Sequence, residues 1–330
     1  MTNDQMTNDQ FTNLPATNVP AVEIIVLNWN GREDTLACLD SLMRLEYPSF
    51  HVTVVDNGST DGSPDAVRRA FPQVEVLETG ANLGYAGGNN RGLERALARG
   101  APYILLLNND TTVAPDMLTH LVAAMEADPT VGFAGPTIYY ADRPEVIWTA
   151  GGAIHWGRGE TRMIGLDEPD QGQFGTTPRE VDFVSGCAIL LRREVPERVG
   201  LLDERFFLYY EEVEWCVRAR RASFRIVHVP RARVWHRIRP QAQAESPTVH
   251  YYMTRNRLLF LALTGAGWGA WISTIVDNIR TLLSWSLRPR WRHKGFQRRA
   301  MVRALADACR GRWGFIPSPV ASPPRAGGVR

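Results

Sequence analysis

The first 130 residues alternate short apolar segments with amphipathic ones, and this alternation limits the possible folds more than any other feature of the chain. Four segments have the pattern of buried strands, at 22–28, 51–56, 74–78 and 103–107. Four others have helical spacing, at 32–45, 63–71, 87–99 and 115–127. Short apolar strands separated by helices form parallel sheets covered on both faces. The sequence therefore predicts an α/β fold with a Rossmann-like, mostly parallel sheet and helices on both faces.

Polar residues and glycines follow each of these four strands. They are Asn28 and Asn30, then Asp56 and Asn57, then Asn82, Gly84 and Gly87, and finally Asn108, Asn109 and Asp110. Ligands of parallel sheets bind at the carboxyl ends of the strands, and glycine lets the backbone approach a ligand closely. The pattern predicts one ligand site along this edge, although each segment by itself is also typical of turns and helix caps.

Asp110 and His236 are candidate metal ligands. A carboxylate at a strand end, where phosphates would lie, suits Mg²⁺ or Mn²⁺, and such a metal would neutralise a departing diphosphate. The alternative for Asp110 is a turn that closes the strand. His236 follows an apolar strand at 224–235, and it becomes a candidate ligand only if a metal lies nearby.

A second acidic cluster opens a predicted helix at 211–222 and contains Glu211, Glu212 and Glu214. Acidic residues at a helix start suit the helix dipole, and Glu214 can pair with Arg218, so a structural role is one interpretation. Two aromatic pairs precede the cluster, which predicts an apolar wall behind the carboxylates. A carboxylate in such surroundings is suited to act as a general base on a hydroxyl.

Charge is divided sharply along the chain. Residues 1–217 hold 15 arginines and 32 acidic residues, whereas residues 218–330 hold 21 arginines, one lysine and three acidic residues. This division favours an acidic catalytic half and a basic half that faces polyanions or an anionic membrane. A GC-rich genome would explain arginine in place of lysine, but not the segregation. The four cysteines lack metal-ligand or redox spacing, which predicts free thiols in a reducing, cytosolic setting.

Residues 258–276 form an uncharged run that is long enough to suggest a membrane span, but three glycines interrupt it. From Trp268 onward the apolar residues have one-face helical spacing, and basic residues follow from Arg288 to Arg299. Such a helix favours lying on an anionic membrane surface. Packing within the protein, a contact between subunits and a membrane span are the alternatives.

Eight stretches in order resemble the inverting, metal-dependent glycosyltransferases of family 2 with the GT-A fold, specifically the rhamnosyltransferase-like group. They are IIVLNWNGREDTLACLDSL, VVDNGSTDGS, NLGYAGGNN, LLLNNDT, VSGCAILLRRE, LDERFFLYYEEVEWCVRAR, VWH and YYMTRNRLLF, and together they cover about residues 20–260. No secretory signal is visible in the polar first twenty residues.

The resemblance implies a role for each matching residue. Asp56 would contact the nucleotide base, with Asn28 and Asn30 in the same pocket. Asn108 and Asp110 stand at the ends of the family's D-x-D motif, so Asp110 would bind the metal and His236 would complete its site. Glu212 would be the general base, with Glu211 as the alternative. Gly152, Trp156 and Glu214 would lie on the acceptor side.

The implied reaction is a direct displacement that inverts the anomeric carbon. The resemblance favours dTDP-L-rhamnose as donor, with UDP- and GDP-sugars open, and a lipid-linked or growing cell-surface glycan as acceptor. A non-catalytic, membrane-bound sugar-nucleotide sensor is the alternative. No nucleic-acid partner is expected, and homo-oligomerisation is left open. The expected location is the cytoplasm, peripheral on the inner face of the plasma membrane.

The predicted organisation has four parts. Residues 1–20 would be a disordered leader and 21–240 the catalytic domain, with a nucleotide-sugar half at 21–130 and an acceptor half at 131–240. Residues 241–315 would form a basic helical region that associates with membranes, and 316–330 a disordered tail.

Overall fold

The computed structural model describes residues 19–238 and 244–317. Its first half contains β1 (Val22–Asn28), α1 (Arg32–Leu42), β2 (Phe50–Asp56), α2 (Ser63–Ala70), β3 (Glu75–Glu78), α3 (Gly84–Arg99), β4 (Tyr103–Asn108), β5 (Thr111–Val113) and α4 (Met117–Ala127). The second half contains β6 (Val131–Tyr140), β7 (Val146–Thr149), β8 (Gly152–His155), β9 (Glu160–Met163), β10 (Glu168–Pro169), β11 (Arg179–Glu180), β12 (Ala188–Arg192), α5 (Glu194–Val199), α6 (Glu211–Arg221) and β13 (Arg225–His236). After β13, the described residues contain α7 (Pro247–Leu263), α8 (Trp268–Leu287) and α9 (Gly295–Cys309), with a 3₁₀ helix at Pro289–Lys294.

Within the described part of the chain, eleven strands form one central sheet. Strands β3, β2, β1 and β4 are neighbours in that order and run parallel. Strand β12 pairs antiparallel with β4 and joins this half to β6, β7 and β10, while β13 runs parallel to β6. The predicted α/β fold is confirmed, with the parallel half where the strand and helix patterns alternate.

Helices cover both faces of the sheet. Alternate residues of a strand point to opposite sides, and the buried strands are apolar on both sides, so each face needs a covering layer. On one face, Ile24 and Leu105 pack with residues of α1 and α4, including Leu39 and Leu121. On the other face, Ile25 and Leu106 pack with residues of α3 and α6, including Leu93 and Trp215. Cys38, Cys187 and Cys216 are buried, and these and the exposed Cys309 are free thiols, as predicted.

The apolar patterns at 146–156 and 181–191 each predict one strand, and the structure differs from both predictions. The strand predicted at 146–156 is divided into β7 and β8, which belong to different sheets. The chain turns between them at Gly151, whose φ of 87° is in the left-handed region and whose added Cβ would lie 2.8 Å from Val181. The strand predicted at 181–191 begins only at Ala188.

The sequence has helical spacing from about 249 to 310, and the structure divides this segment into separate helices because Gly265 and Gly267 lie between α7 and α8. Gly265 has a φ of 61°, which ends α7. Within the residues described, none of the helices combines the length and apolar character needed to cross a membrane. The predicted leader lies outside the described residues apart from Val19 and Pro20, and so does the predicted tail from residue 318 onward.

Candidate active site

A cavity of about 600 Å³ opens beyond the carboxyl ends of β1 and β4. We call it the first cavity. Six of the residues predicted from the strand ends line it: Asn57, Asn82, Gly84, Asn108, Asn109 and Asp110. The remaining lining residues are Leu27, Trp29, Tyr85, Phe207, Leu208, Thr248, Tyr252, Phe315 and Ile316. Parallel strands end at one edge, and the structure therefore gathers these predicted polar residues into one site.

Asn28 and Asp56 lie beneath this lining and hold its loops together. The Asn28 amide donates to Asp56 Oδ1 at 2.7 Å, and Asp56 Oδ2 accepts from the Ser59 N–H at 2.9 Å. The Asn28 side-chain oxygen accepts from Asn109 at 3.1 Å, which connects β1 to the end of β4. Both side chains are almost fully buried. Their observed contacts are therefore within the protein, although each Asp56 oxygen retains a lone pair.

Asn30 lies on an exposed turn that presents Trp29. Asn30 has a φ of 52°, and its N–H donates to Ser59 Oγ at 2.8 Å. Its side-chain oxygen accepts from the Thr60 N–H at 2.7 Å. These bonds fix the backbone, and the Trp29 indole beside it is 56% exposed at the cavity.

Asn57 fixes the glycine-rich loop that leads into α3. Its amide donates to the Gly84 carbonyl at 3.0 Å, and its oxygen accepts from the Leu83 N–H at 3.0 Å. Gly84 has a φ of 75°, and an added Cβ would lie 2.4 Å from both the ring and the carbonyl of Phe207. Gly84 is thus required for the close contact between α3 and the loop before α6. Gly87 lies inside α3 near Leu83 and Glu204, outside the lining of the cavity.

Asp110 and His236 meet at the edge of the first cavity. Strand β13 pairs antiparallel with β5, and this register sets His236 opposite Thr111. His236 Nε2 lies 2.9 Å from Asp110 Oδ1. The histidine is buried against Trp148 and its Nδ1 has no hydrogen-bond partner, whereas the Asp110 carboxylate is about one-third exposed.

Glu212 lines a second cavity, which has a volume of about 500 Å³. The other lining residues are Thr161, Arg162, Met163, Leu166, Phe183, Tyr209, Tyr210, Val213, Val249 and Met253. Glu212 Oε2 is buried without a hydrogen-bond partner. Burial raises the pKa of the Glu212 carboxyl, and backbone hydrogen bonds, including one from Gly186, partly oppose that rise.

The two cavities share their walls. Phe207 and Leu208 line the first, and the next two residues of the same loop line the second. In α7, Thr248 and Tyr252 line the first cavity, while Val249 and Met253 line the second. Tyr85 of the first cavity donates its hydroxyl to the Gly186 carbonyl, and the Gly186 backbone bonds Glu212. The Asp110 pair and Glu212 therefore belong to one continuous region.

The other residues predicted for the reaction lie elsewhere. Glu211 is buried, and burial and the neighbouring Glu212 raise its pKa well above the ordinary range. Glu214 is ion-paired with Arg218 at 2.8 Å and lies outside the second cavity. Gly152 lies behind Phe183, whose ring would be 2.1 Å from an added Cβ. Trp156 stacks on Phe260 and lines a separate cavity with Arg220 and Arg221.

The loop before α6 is held in an unusual conformation by α7. Phe207, Tyr209 and Tyr210 all have positive φ, between 64° and 76°. The Asn256 amide nitrogen lies within 2.9 Å of the carbonyl oxygens of Phe206, Leu208 and Tyr209. The buried Arg255 guanidinium bonds the carbonyls of Phe206 and Gly314. A residue of the C-terminal region thus positions the loop that delivers Glu212.

Sequence reasoning missed several lining residues. Trp29 stands between Asn28 and Asn30, which were both predicted for the site, so its position in the sequence could have identified it as a lining residue. The aromatic pairs at 206–210 and the stretch YYMTRNRLLF predict apolar packing, but not that packing would form the walls of both cavities. Phe315 and Ile316 carry no local signal, because they reach the first cavity only through the fold of α7 and α9.

The mostly parallel sheet, with helices on both faces and polar residues along one edge, has the GT-A fold. The profile of Glycosyl transferase family 2 matches residues 23–200, and the chain belongs to that family. The chain is therefore a glycosyltransferase, as predicted.

Two similar proteins are rhamnosyltransferases by name. An N-acetylglucosaminyl-diphospho-decaprenol L-rhamnosyltransferase of Mycobacterium tuberculosis is 31% identical, over 72% of this chain and 79% of that protein. A dTDP-rhamnosyl transferase of Shigella flexneri is 24% identical, over 72% of this chain and 78% of that protein. A mannosyltransferase from Pyrobaculum calidifontis, solved with GDP-mannose and Mn²⁺, has the same fold, with a TM-score of 0.55, 17% identity and 91% coverage of both chains.

Proposed function

We propose that the protein is a metal-dependent, inverting glycosyltransferase that moves L-rhamnose from dTDP-L-rhamnose onto a lipid-linked or growing cell-surface glycan. One observation carries the proposal: Asp110 with His236 and the buried Glu212 lie in adjacent cavities that share the same loop and helix. The choice of rhamnose is supported by the names of the mycobacterial and Shigella relatives. A UDP-sugar donor on the same fold is the alternative.

The residues at the first cavity fit a divalent cation. Asp110 offers a partly exposed carboxylate and His236 an imidazole nitrogen 2.9 Å away, and both suit Mn²⁺ or Mg²⁺. Among residues 19–238 and 244–317, no group of three or more acidic, histidine or cysteine side chains is arranged for a metal. The remaining ligands would thus come from diphosphate and water, as is usual for Mg²⁺. When bound, the cation would stabilise the negative charge of the leaving diphosphate.

In the proposed reaction, Glu212 accepts the proton of the acceptor hydroxyl while that oxygen attacks the anomeric carbon. The bond from this carbon to the diphosphate oxygen breaks, and the diphosphate leaves with the electron pair. A single displacement inverts the configuration. The raised pKa of Glu212 suits a general base, because proton transfer is most efficient when the pKa lies nearer the working pH.

Calorimetric titration with dTDP, UDP and GDP, each with and without Mn²⁺, tests the donor assignment. We expect tight binding of dTDP that requires the metal. Tight binding of UDP or GDP instead would retain the transferase and replace the donor. If no diphosphate binds, or if binding ignores Mn²⁺, the proposed donor and metal site is refuted.

We predict that Trp29→Ala weakens binding of the nucleoside diphosphate about ten- to a hundredfold, since stacking of a base on an aromatic ring contributes about 1–3 kcal/mol. The rigid, exposed indole at the first cavity motivates this expectation. Trp29→Phe should retain most of the affinity, because a flat ring remains. Trp156→Ala, an exposed tryptophan outside the first cavity, is the matched control. Equal affinities of wild type and Trp29→Ala in the titration would contradict the stacking role.

Asn256 is predicted to act as a positioning residue. Asn256→Ala removes the amide that holds the carbonyls of the loop before Glu212, and we expect kcat to fall about a hundredfold, as for small misplacements of catalytic groups. Asn278→Ala, at a buried asparagine of α8, controls for loss of a buried amide. Steady-state kinetics and thermal unfolding of both variants make the comparison. If the two variants lose stability alike and Asn256→Ala keeps its kcat, the positioning role is wrong.

Asp56 keeps its proposed role at the nucleotide base, supported by its position at the end of β2, where its neighbour Asn57 lines the first cavity. Asn28, Asn30, Asn57, Asn82, Asn108 and Asn109 would shape the same donor site. We also propose that the enzyme works in the cytoplasm on the inner face of the plasma membrane, where a lipid-linked acceptor would be met.

A further inference from the structure

Helix α8 packs against the protein with a side that carries both apolar and polar residues, including Trp271 and Asn278, and presents a largely apolar side to solvent. Its fully or nearly buried residues are Ala270, Thr274 and Asn278. Its exposed apolar side chains are Trp268, Ile272, Ile275, Val276, Ile279, Leu283 and Leu287. The exposed side chains recur at intervals of three and four residues and so form one stripe, which we call the apolar ridge. Large contiguous apolar patches on a protein surface mark interaction sites.

A cluster of cations directly follows the ridge. It consists of Arg288, Arg290, Arg292, Lys294, Arg298 and Arg299, and no acidic residue occurs between 278 and 306. All six side chains are exposed or half-buried. Arg280 adds a further exposed cation within α8. The ridge therefore lies beside a surface of strongly positive charge.

The buried side of α8 rests on the two elements that line the second cavity. One is the β8–β9 hairpin, where Gly159 lies against Ala270 and Thr274. The other is α7, where His250 contacts Trp285. Arg257 of α7 bonds the Gly159 carbonyl at 2.8 Å, which ties these elements together. Since β9 and α7 both line the second cavity, the ridge lies next to the region that holds Glu212.

We propose that the apolar ridge and its cationic cluster form a docking surface for an anionic lipid bilayer. The apolar side chains would enter the boundary between headgroups and acyl chains, and the arginines would contact anionic headgroups. Two residues of the second cavity, Leu166 and Met253, are themselves exposed apolar side chains. A lipid-linked acceptor would thus reach Glu212 from the membrane surface, a consequence that rests on the proposed function.

Charge favours a bilayer over a second copy of this chain as the occupant. Apposing two ridges would place two cationic clusters, which contain no acid to offset them, at the same interface, and like charge on both partners opposes association. An anionic bilayer instead neutralises the cations. The surface therefore fits anionic lipid in both its apolar and its charged parts.

Sedimentation with lipid vesicles tests the proposal on the full chain without any nucleotide. We expect binding to vesicles of phosphatidylglycerol and phosphatidylcholine in equal parts, and much weaker binding to phosphatidylcholine alone. The double variant Ile275→Glu, Ile279→Glu should bind the mixed vesicles at least about tenfold more weakly, because buried apolar area supplies much of such binding. High salt should weaken wild-type binding by screening the cations.

The control variant Ala70→Glu, Ala98→Glu adds the same charge at exposed positions of α2 and α3 and should bind vesicles like the wild type. Calorimetric titration with dTDP and Mn²⁺ reports whether the ridge variant keeps its donor site. A wrong donor assignment would change nucleotide binding, whereas a wrong docking surface would change only the vesicle results. Equal binding to both vesicle types, or unchanged binding by the ridge variant, overturns the proposal. So does a lipid-free dimer, in light scattering, that the ridge variant converts to a monomer.

Discussion

Replacing Glu212 by Gln is expected to lower kcat about 10²–10⁴-fold while binding of the donor nucleotide stays unchanged. The amide keeps the size of the side chain but cannot accept the acceptor's proton, and general base catalysis is worth about that factor. Steady-state transfer assays combined with calorimetric titration measure both quantities. If Glu212→Gln binds the donor nucleotide but no longer transfers sugar, the wild type is an enzyme. That result would also exclude a protein that only senses sugar nucleotides.

The same residue should set the acidic limb of the pH profile. Burial raises the pKa of Glu212, so the inactive, protonated form persists to higher pH than for an ordinary glutamate, whose pKa is about 4.3. Transfer by the wild type should rise with pH through this raised pKa, and the limb should be absent from any residual activity of Glu212→Gln. Transfer that remains at the wild-type rate in the variant would refute the assignment.

Glu211→Gln is the matched control, since it removes the adjacent carboxyl. Burial and the nearby Glu212 raise the pKa of Glu211 well above the ordinary range. Its neutral form favours the folded state at low pH, and this contribution is lost as the pH rises through the raised pKa. At alkaline pH, Glu211→Gln should therefore unfold at a higher temperature than the wild type, and it should retain sugar transfer. If Glu211→Gln instead loses transfer and Glu212→Gln keeps it, Glu211 is the base.

Asp110→Asn should abolish the effect of Mn²⁺ on nucleotide binding and lower kcat/KM about 10²–10³-fold, the cost typical of losing charge stabilisation at a leaving group. The amide removes the negative charge that faces His236 at 2.9 Å and is a poor ligand for a divalent cation. Titration of the variant with the nucleoside diphosphate, with and without Mn²⁺, measures the change directly.

Asp34→Asn supplies the control for Asp110. Asp34 is a neighbouring carboxylate that pairs with Arg237 at 2.6 Å, directly after His236 in the chain, but it lies outside the first cavity. The Asp34→Asn variant should leave the effect of Mn²⁺ on nucleotide binding intact. If both variants respond alike to Mn²⁺, or if Asp110→Asn retains the wild-type response, the metal assignment to Asp110 and His236 fails.

The parallel half of the fold was predictable because its signals are local. Apolar strands, helical spacing and polar strand ends such as Asn108 to Asp110 each occupy fewer than twenty consecutive residues. The carboxyl ends of parallel strands meet at one edge whatever the details of packing, so the first cavity followed from the order of elements. The division at Gly151 was missed because strand spacing continues across it.

The second cavity could not be predicted in the same way. Its walls come from the β8–β9 hairpin, the loop before α6 and α7, which are joined by contacts between residues far apart in the chain. The pattern at 211–214 indicated a helix start with acids, but side chains two positions apart on a helix point in different directions. Only the packed helix separates Glu212, which lines the cavity, from Glu214, which pairs with Arg218.

The sequence by itself determined the family, the parallel sheet and the set of polar residues at its edge, since these depend on local spacing and on chain order. Tertiary structure decided the rest. The register of β13 against β5 brought His236 to Asp110, and α7 shaped the loop that carries Glu212. Helical spacing also identified which residues of α8 share a face, but only the neighbours of that helix decide which face is buried. Here they bury the side with Ala270, Thr274 and Asn278 and leave the apolar ridge exposed.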